Sequence, residues 1–221
     1  MRYVELLGLP GSGKSSVARR MQQRHGWVGV NEARRRHFAA LSVQERAFYR
    51  ALQALPRERA LRRVWPRFEE LGAFVHDHAD ALGVIARALE DLEADTEKVS
   101  GQVLRTLAEI DALRRYSAVG ETSIHDEGLQ QRRVSLVMRG VRNHHALSRL
   151  SPPGTRVALI DVPHDLATAR LRRRGHPRRD TAVSAAALVE VLANLGTSYV
   201  TVDGRPGLDH VCDALKEALS D

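Results

Sequence analysis

The chain of 221 residues is short of several things at once, and each shortage removes a class of protein. Cys212 is the only cysteine, so neither a disulfide framework nor a cysteine-built zinc site can hold the fold together. It falls on an amphipathic pattern and reads as a small core residue. Aromatic residues make up only 5%, which leaves Leu, Val and Ala to build the core. No apolar run approaches membrane-spanning length, and Met1 stands one residue before the first predicted strand. The expectation is a cytoplasmic protein with no membrane partner. Lysine is nearly absent: Lys14, Lys98 and Lys216 stand against thirty-one arginines. A compact ammonium kept at one of three positions points to a task that a guanidinium does not perform.

That task is suggested by the first of the three. Gly8-Leu9-Pro10-Gly11-Ser12-Gly13-Lys14-Ser15 fits the spacing G-x-x-x-x-G-K-[ST]. The apolar Arg2 to Leu7 segment before it reads as a buried strand, and Ser16 onward opens a helix. Strand, glycine loop and helix start in that order give the pattern its mechanism. Gly8, Gly11 and Gly13 let the backbone curl its N–H groups around a polyphosphate, and the helix N-terminus adds its positive end. Lys14 is placed to reach the β and γ phosphates, and the Ser15 hydroxyl to ligate Mg²⁺. Pro10, Ser12 and Ser16 complete the expected nucleotide contacts.

Along the chain, helix follows strand in alternation. The first helix is expected to reach His25 and stop at Gly26, and strand two to cover 27–31, ending at Asn31-Glu32. Segment 34–66 is polar and helical, broken by Pro56 and Pro66. A polar third strand over 118–125 ends at Asp126-Glu127-Gly128, and a helix covers 129–141. Arg156 to Val162 is continuous and apolar, as a central parallel strand should be. Helices over 164–174, 184–195 and 207–219 and a strand over 198–203 complete the pattern. The fold class is therefore α/β, a three-layer sandwich on a five-stranded parallel sheet. Residues 1–37 and 117–221 form its core.

Segment 38–116 interrupts that alternation as a long helical insertion. From Phe68 to Leu113, apolar residues recur at alternating spacings of three and four, a coiled-coil-like seam that includes His78 as a tolerated core polar residue. As one helix it would be about 70 Å long. A hairpin folded between Ala94 and Gly101 is the favoured way to bury it, and a homodimer through 67–115 is the other. The insertion is where an acceptor or oligomerisation region is expected.

The stretch Asp161 to Gly175, a strand end, a turn and a helix carrying Arg170-Leu171-Arg172-Arg173-Arg174-Gly175, resembles the approach to the LID of P-loop nucleoside and nucleotide kinases, thymidylate kinase most of all. Tyr199 to Gly204 and the helix after it are similar to the last strand and adenine-side loop of those kinases. The resemblance covers 1–32 and about 118–221 and does not cover 38–116. It implies an ATP-dependent kinase with Mg²⁺, a small-molecule acceptor of nucleoside or nucleotide type, a LID over 170–181 and an adenine-side contact at Gly204. Arg170 and Arg174, four apart on one helix face, could stabilise charge on a transferring phosphoryl group, with Arg178 and Arg179 behind them.

Asp126 occupies the end of strand three, where P-loop proteins place a carboxylate near Mg²⁺, so it is expected as a metal or base carboxylate. Glu127 is either a second metal carboxylate or a cap on the next helix. Thymidylate kinases commonly carry Asp-Arg there, and this chain departs from them with Asp-Glu. Glu32 resembles, by position, the base that deoxynucleoside kinases carry at the end of strand two. Arg132 and Arg133 could grip an acceptor phosphate or be surface charge.

The net charge of +7 invites nucleic acid as a partner, but no zinc, RNA-recognition or helix-turn-helix pattern accompanies it. Arginine bias and phosphorylated ligands account for it instead. The rival reading is a P-loop ATPase whose coiled-coil arm makes it a binding or structural protein, with Ser100-Gly101-Gln102 echoing part of a cassette-ATPase signature. A sulfotransferase fits less well, and a guanine switch lacks the N-K-x-D element.

Overall fold

In a computed structural model of the protein, the residues described are 2–40, 42–44, 79–90, 96–175, 181–195 and 198–220. Five strands form one sheet in the order β2-β3-β1-β4-β5. They are β1 (Arg2–Leu7), β2 (Val28–Gly29), β3 (Thr122–His125), β4 (Thr155–Asp161) and β5 (Tyr199–Asp203). Every pairing is parallel, with Glu5 beside His125 and Leu7 beside Leu159. The expected three-layer α/β architecture is therefore present. The chain first runs outward on one side of β1, then crosses over it to β4. Ligands of such sheets bind at that reversal, beyond the strand C-termini, and this is where β1 delivers the glycine loop.

The helices are α1 (Lys14–His25), α2 (Val30–Ala40), α3 (Ala79–Ala88), α4 (Thr96–Tyr116), α5 (Leu129–Val137), α6 (His164–Arg173), α7 (Thr181–Ala193) and α8 (Leu208–Ala218). A 3₁₀ helix, Asn143–Leu150, lies between α5 and β4 and leaves no periodic signature in the sequence. Helix α1 stops where expected: Gly26 turns left-handed at φ +67° and its N–H returns to the Gln22 carbonyl.

Two expected elements differ. Strand two is only Val28–Gly29, and α2 starts at Val30, so Glu32 lies in a helix rather than at a strand end. The charge spacing explains this: Glu32 pairs with Arg35 and Arg36, three and four residues on, both at 3.2 Å. An acid in the first turn also suits the helix dipole. Strand three begins at Thr122, not 118. The residues before it form a turn in which the Ala118 N–H donates to Glu121, and Arg36 grips that same carboxylate through two nitrogens.

The sheet separates two cores. Val4, Leu6, Val17, Met21, Val157, Ile160, Val211 and Leu215 belong to one. Tyr3, Val28, Ala33, Leu129, Leu136 and Leu147 belong to the other. The heptad seam goes into the second: Ile85, Leu89, Val99, Val103, Ile110 and Leu113 are all buried there. In the described residues α3 packs on the 3₁₀ helix and α4 packs on α2. At these six positions the seam is thus buried in the domain's own core, and residues 91–95, where the hairpin is expected to turn, lie outside the described residues. Ser100 and Gly101, expected in the break, lie inside α4. Tertiary burial outweighs the roughly 1 kcal/mol propensity cost of one helical glycine. Residues 67–78, including His78, lie outside the described residues, as do Pro56 and Pro66.

Candidate functional site

The loop after β1 curls as its glycines require. Gly11 sits at φ +89°, and a Cβ there would fall 2.3 Å from the Ala167 carbonyl oxygen on α6. Gly13, at φ +98°, caps α1 without a side chain. The Ser12 N–H closes a turn onto the Leu9 carbonyl at 3.0 Å. No acidic residue occupies the first turn of α1, so its amide dipoles are not met by a local anion. Helix α5 makes the contrast. There the Glu5 carboxylate accepts the Gln130 and Gln131 backbone N–H groups.

Lys14 Nζ donates to the Gly8 and Leu9 carbonyls at 2.7 and 3.0 Å. The ammonium therefore lies over the mouth of its own loop. Ser12 Oγ is buried and, among the described residues, has no hydrogen-bond partner inside the curl. Closely approached backbone, an orphaned hydroxyl, a local cation and an uncapped helix start together fit a polyphosphate.

Gly204 follows β5 and donates its N–H to the Asp161 carbonyl at 2.7 Å. Arg170, from α6, reaches two walls at once. Its Nη1 donates to the Ser12 carbonyl at 3.3 Å and its Nη2 to the Gly204 carbonyl at 3.1 Å. Those residues line a pocket of about 230 Å³ together with Gly13, Ser16, Arg174 and Pro206. The sequence-predicted Ser12, Gly13, Ser16, Arg170, Arg174 and Gly204 thus come together. Arg178 and Arg179 lie outside the described residues, with the rest of 176–180 in the expected LID.

Two further clefts open on the other side of the loop. One, of about 570 Å³, is lined by Pro10, Lys14, Gln102, Arg105, Glu127 and Arg132, among others. The other, of about 390 Å³, holds Ser15, Arg34, Arg105, Glu109, Asp126 and Glu127. Arg105 and Glu127 line both. Asp126 directly follows β3 and shares the second cleft with Ser15. Among the described residues no group of three or more His, Cys, Asp or Glu could by itself hold a metal. One hydroxyl, one or two carboxylates and a ligand's phosphates is the manner in which Mg²⁺ is held.

Gly128 is needed for space rather than for its dihedrals. A Cβ there would fall 2.4 Å from the Glu5 carboxyl carbon beneath it. Burial pushes the Glu5 carboxyl up to about 7, against the pull of His125 and the two N–H bonds.

Several residues escaped the sequence reading. Glu109, on α4 and almost wholly buried, accepts from Arg34 Nη2 at 2.8 Å and Arg105 Nε at 2.9 Å on one oxygen. Its other oxygen faces His125 Nε2 at 3.3 Å. Since a carboxylate only accepts, His125 donates from Nε2, and its Nδ1 shares a hydrogen bond of 3.2 Å with the Tyr3 hydroxyl. Burial alone would raise the Glu109 carboxyl, but His125, Arg105 and Arg34 outweigh it and hold it well below the carboxylate range.

Two expected residues stand elsewhere. Glu32 is not among the residues lining the three clefts, although Asn31 and Arg34 beside it are. Arg133 is fully buried and bonds Gln130 at 2.6 Å and the Asn194 carbonyl at 2.8 Å, which makes it scaffold. Its neighbour Arg132 does line the larger cleft, held by Thr106 at 2.8 Å and Glu127 at 3.0 Å.

No described helix is long and apolar enough to cross a membrane. A comparison with curated proteins finds no match. A family model described as an AAA domain matches residues 4–197, from the third residue of β1 across the loop, the clefts and α6. With the glycine loop at the sheet's reversal and nearly the whole chain matched, the protein belongs to that AAA domain family and carries a P-loop, kinase-like nucleotide-binding fold.

Proposed function

We propose that the protein is an ATP-dependent small-molecule kinase, passing the γ-phosphoryl group to a hydroxyl or phosphate oxygen of an acceptor. The observation that carries this is the pair of clefts beside Lys14 and Ser15, opposite the pocket at Gly204. A protein that only hydrolyses nucleotide has no need of acceptor-sized space on the γ side of its phosphate loop.

The residues divide the work. The Gly8 to Ser16 backbone grips the polyphosphate, and the pocket at Gly204 takes the base. Lys14 exchanges its two loop carbonyls for the β and γ oxygens. Ser15 and Asp126, with Glu127 in reach, would hold Mg²⁺, which when bound supplies positive charge against the phosphate oxygens. Arg170 and Arg174 stabilise charge that builds as the bond to the β-phosphate breaks and the bond to the acceptor oxygen forms. For a hydroxyl acceptor, Asp126 is the carboxylate placed to take the released proton. The thymidylate-kinase resemblance makes nucleosides and nucleotides the first acceptors to test.

The rival ATPase reading needed a free coiled-coil arm. Among the described residues, the seam positions Ile85, Leu89, Val99, Val103, Ile110 and Leu113 are buried within the chain, so its ground is weaker.

Lys14→Ala is expected to abolish acceptor-dependent ADP release while leaving the circular dichroism and the melting transition unchanged. Full activity in that variant would overturn the reading. So would ADP release by the wild type at one rate with and without every acceptor tried.

A further inference from the structure

Resting on the kinase reading, the geometry points to an acceptor that is itself an anion. Its charged group docks on the outer edges of Arg34 and Arg105, and Glu109 acts as the positioning residue that holds both guanidiniums in place. Three observations converge on this.

First, the two arginines come from separate helices, α2 and α4, yet donate to the same Glu109 oxygen. One arginine would suffice to neutralise a buried carboxylate. Two leave a positive excess, and they bring like charges close together, a cost that a second anion would relieve.

Second, the bonds to Glu109 use only part of each fork. Arg105 donates through Nε and Arg34 through Nη2. Among the described residues, no hydrogen bond engages Arg105 Nη1 and Nη2 or Arg34 Nε and Nη1. Arg105 thus keeps its Nη1–Nη2 edge, two parallel donors that match a phosphate or carboxylate, and Arg34 adds single donors beside it.

Third, both side chains line the cleft that contains Ser15 and Asp126, and Arg105 continues into the cleft with Lys14 and Arg132. The walls of the two clefts carry six Lys and Arg side chains against three carboxylates. The triphosphate is served by Lys14, the α1 N-terminus and Arg170. Arg34 and Arg105 come instead from α2 and α4, on the acceptor side. A neutral acceptor would leave their outer donors unmatched once water is excluded.

Glu109 makes the site specific. Its second oxygen is fixed by His125, which is fixed by Tyr3 on the central strand. The fork is thereby anchored to the sheet instead of swinging on two flexible side chains, which reduces the ordering cost of binding.

The test fills the P-loop with adenylyl imidodiphosphate and Mg²⁺, so that the γ position is occupied. Inorganic phosphate and, separately, acetate are then titrated by calorimetry. The expected result is one saturable site. It should weaken at least about tenfold in Arg34→Gln and in Arg105→Gln and be unchanged in Arg205→Gln. Arg105→Lys, which keeps charge and loses the fork, should fall between. Glu109→Gln should weaken the anion site by about the same factor, while the imidodiphosphate binds as before. A merely structural loss would weaken both. Preference for phosphate marks a phosphorylated acceptor, and preference for acetate a carboxylic acid. Normal nucleotide binding with no anion site, or with one indifferent to Arg34 and Arg105, overturns this inference and leaves the kinase reading standing. Failure of the nucleotide itself to bind brings down both.

Discussion

The two sides of the phosphate loop are built by opposite means. The nucleotide side draws on one continuous stretch, Gly8 to Ser16, whose working parts are backbone amides, and it borrows Arg170, Arg174 and the Gly204 turn from afar. The acceptor side has no such stretch. It is assembled from side chains on α2, α4, the end of β3 and α5, residues up to about a hundred positions apart. Backbone geometry tolerates most side-chain changes but not a misplaced Cβ. A side-chain constellation is the reverse: it survives local backbone change and fails when one anchor is lost. Substitutions on each side should therefore fail differently.

The largest effect is expected from Gly11→Ala. Its Cβ would meet the Ala167 carbonyl at 2.3 Å in a left-handed backbone, so either the loop or α6 must move. Nucleotide affinity and turnover should drop by about a hundredfold or more, with roughly 2 kcal/mol lost in stability. Titration with labelled nucleotide and a urea melt would show it. If nucleotide still bound normally, the loop would not be the rigid side of the comparison.

Next comes Glu109→Ala on the acceptor side. It strips Arg34, Arg105 and His125 of their shared partner in a site where the carboxylate is 6% exposed. About 3–5 kcal/mol should be lost in denaturant unfolding, yet nucleotide affinity should hold once the variant is folded.

Smaller and pH-dependent is the effect of Glu5. The folded chain keeps its proton up to about pH 7, whereas an unfolded carboxyl releases it near 4.5. Between those values folding takes up a proton, so stability falls as pH rises and levels off above 7. A shift of that size corresponds to about 3 kcal/mol. Glu5→Gln should flatten this slope in melts taken from pH 4.5 to 8. An unchanged slope would mean that the buried carboxyl is not what titrates.

The smallest effect belongs to Asp209→Asn. Its pairs with Arg20 and Arg24 are half exposed and screened, so the melting temperature should not measurably change.

The same division governs what the sequence discloses. The phosphate loop was legible because its residues are consecutive and their spacing is itself the mechanism. Asp126 was legible because it ends a strand whose start and stop are local signals. Arg105 and Glu109 were not. They are the polar positions of a helix whose apolar seam dominates the pattern, and such positions look like a solvated face until α2 and β3 are placed against them. Arg34 was obscured by a local error. Asn31-Glu32 reads as a strand end, whereas charge pairs at helical spacing set the first turn of α2. The parallel sheet could be read from alternation alone, and the fate of the heptad seam could not. Periodicity shows that a face is buried but not what buries it.

Arg170 binds residue 12 to residue 204 and so joins nearly the first structured turn to nearly the last. A chain still emerging from the ribosome has its amide cradle early, but it lacks the opposite wall until β5 and the turn after it are made. Full affinity for nucleotide is therefore a property that arrives late in synthesis, and ligand capture by nascent chains of increasing length would rise abruptly once Gly204 is free to fold.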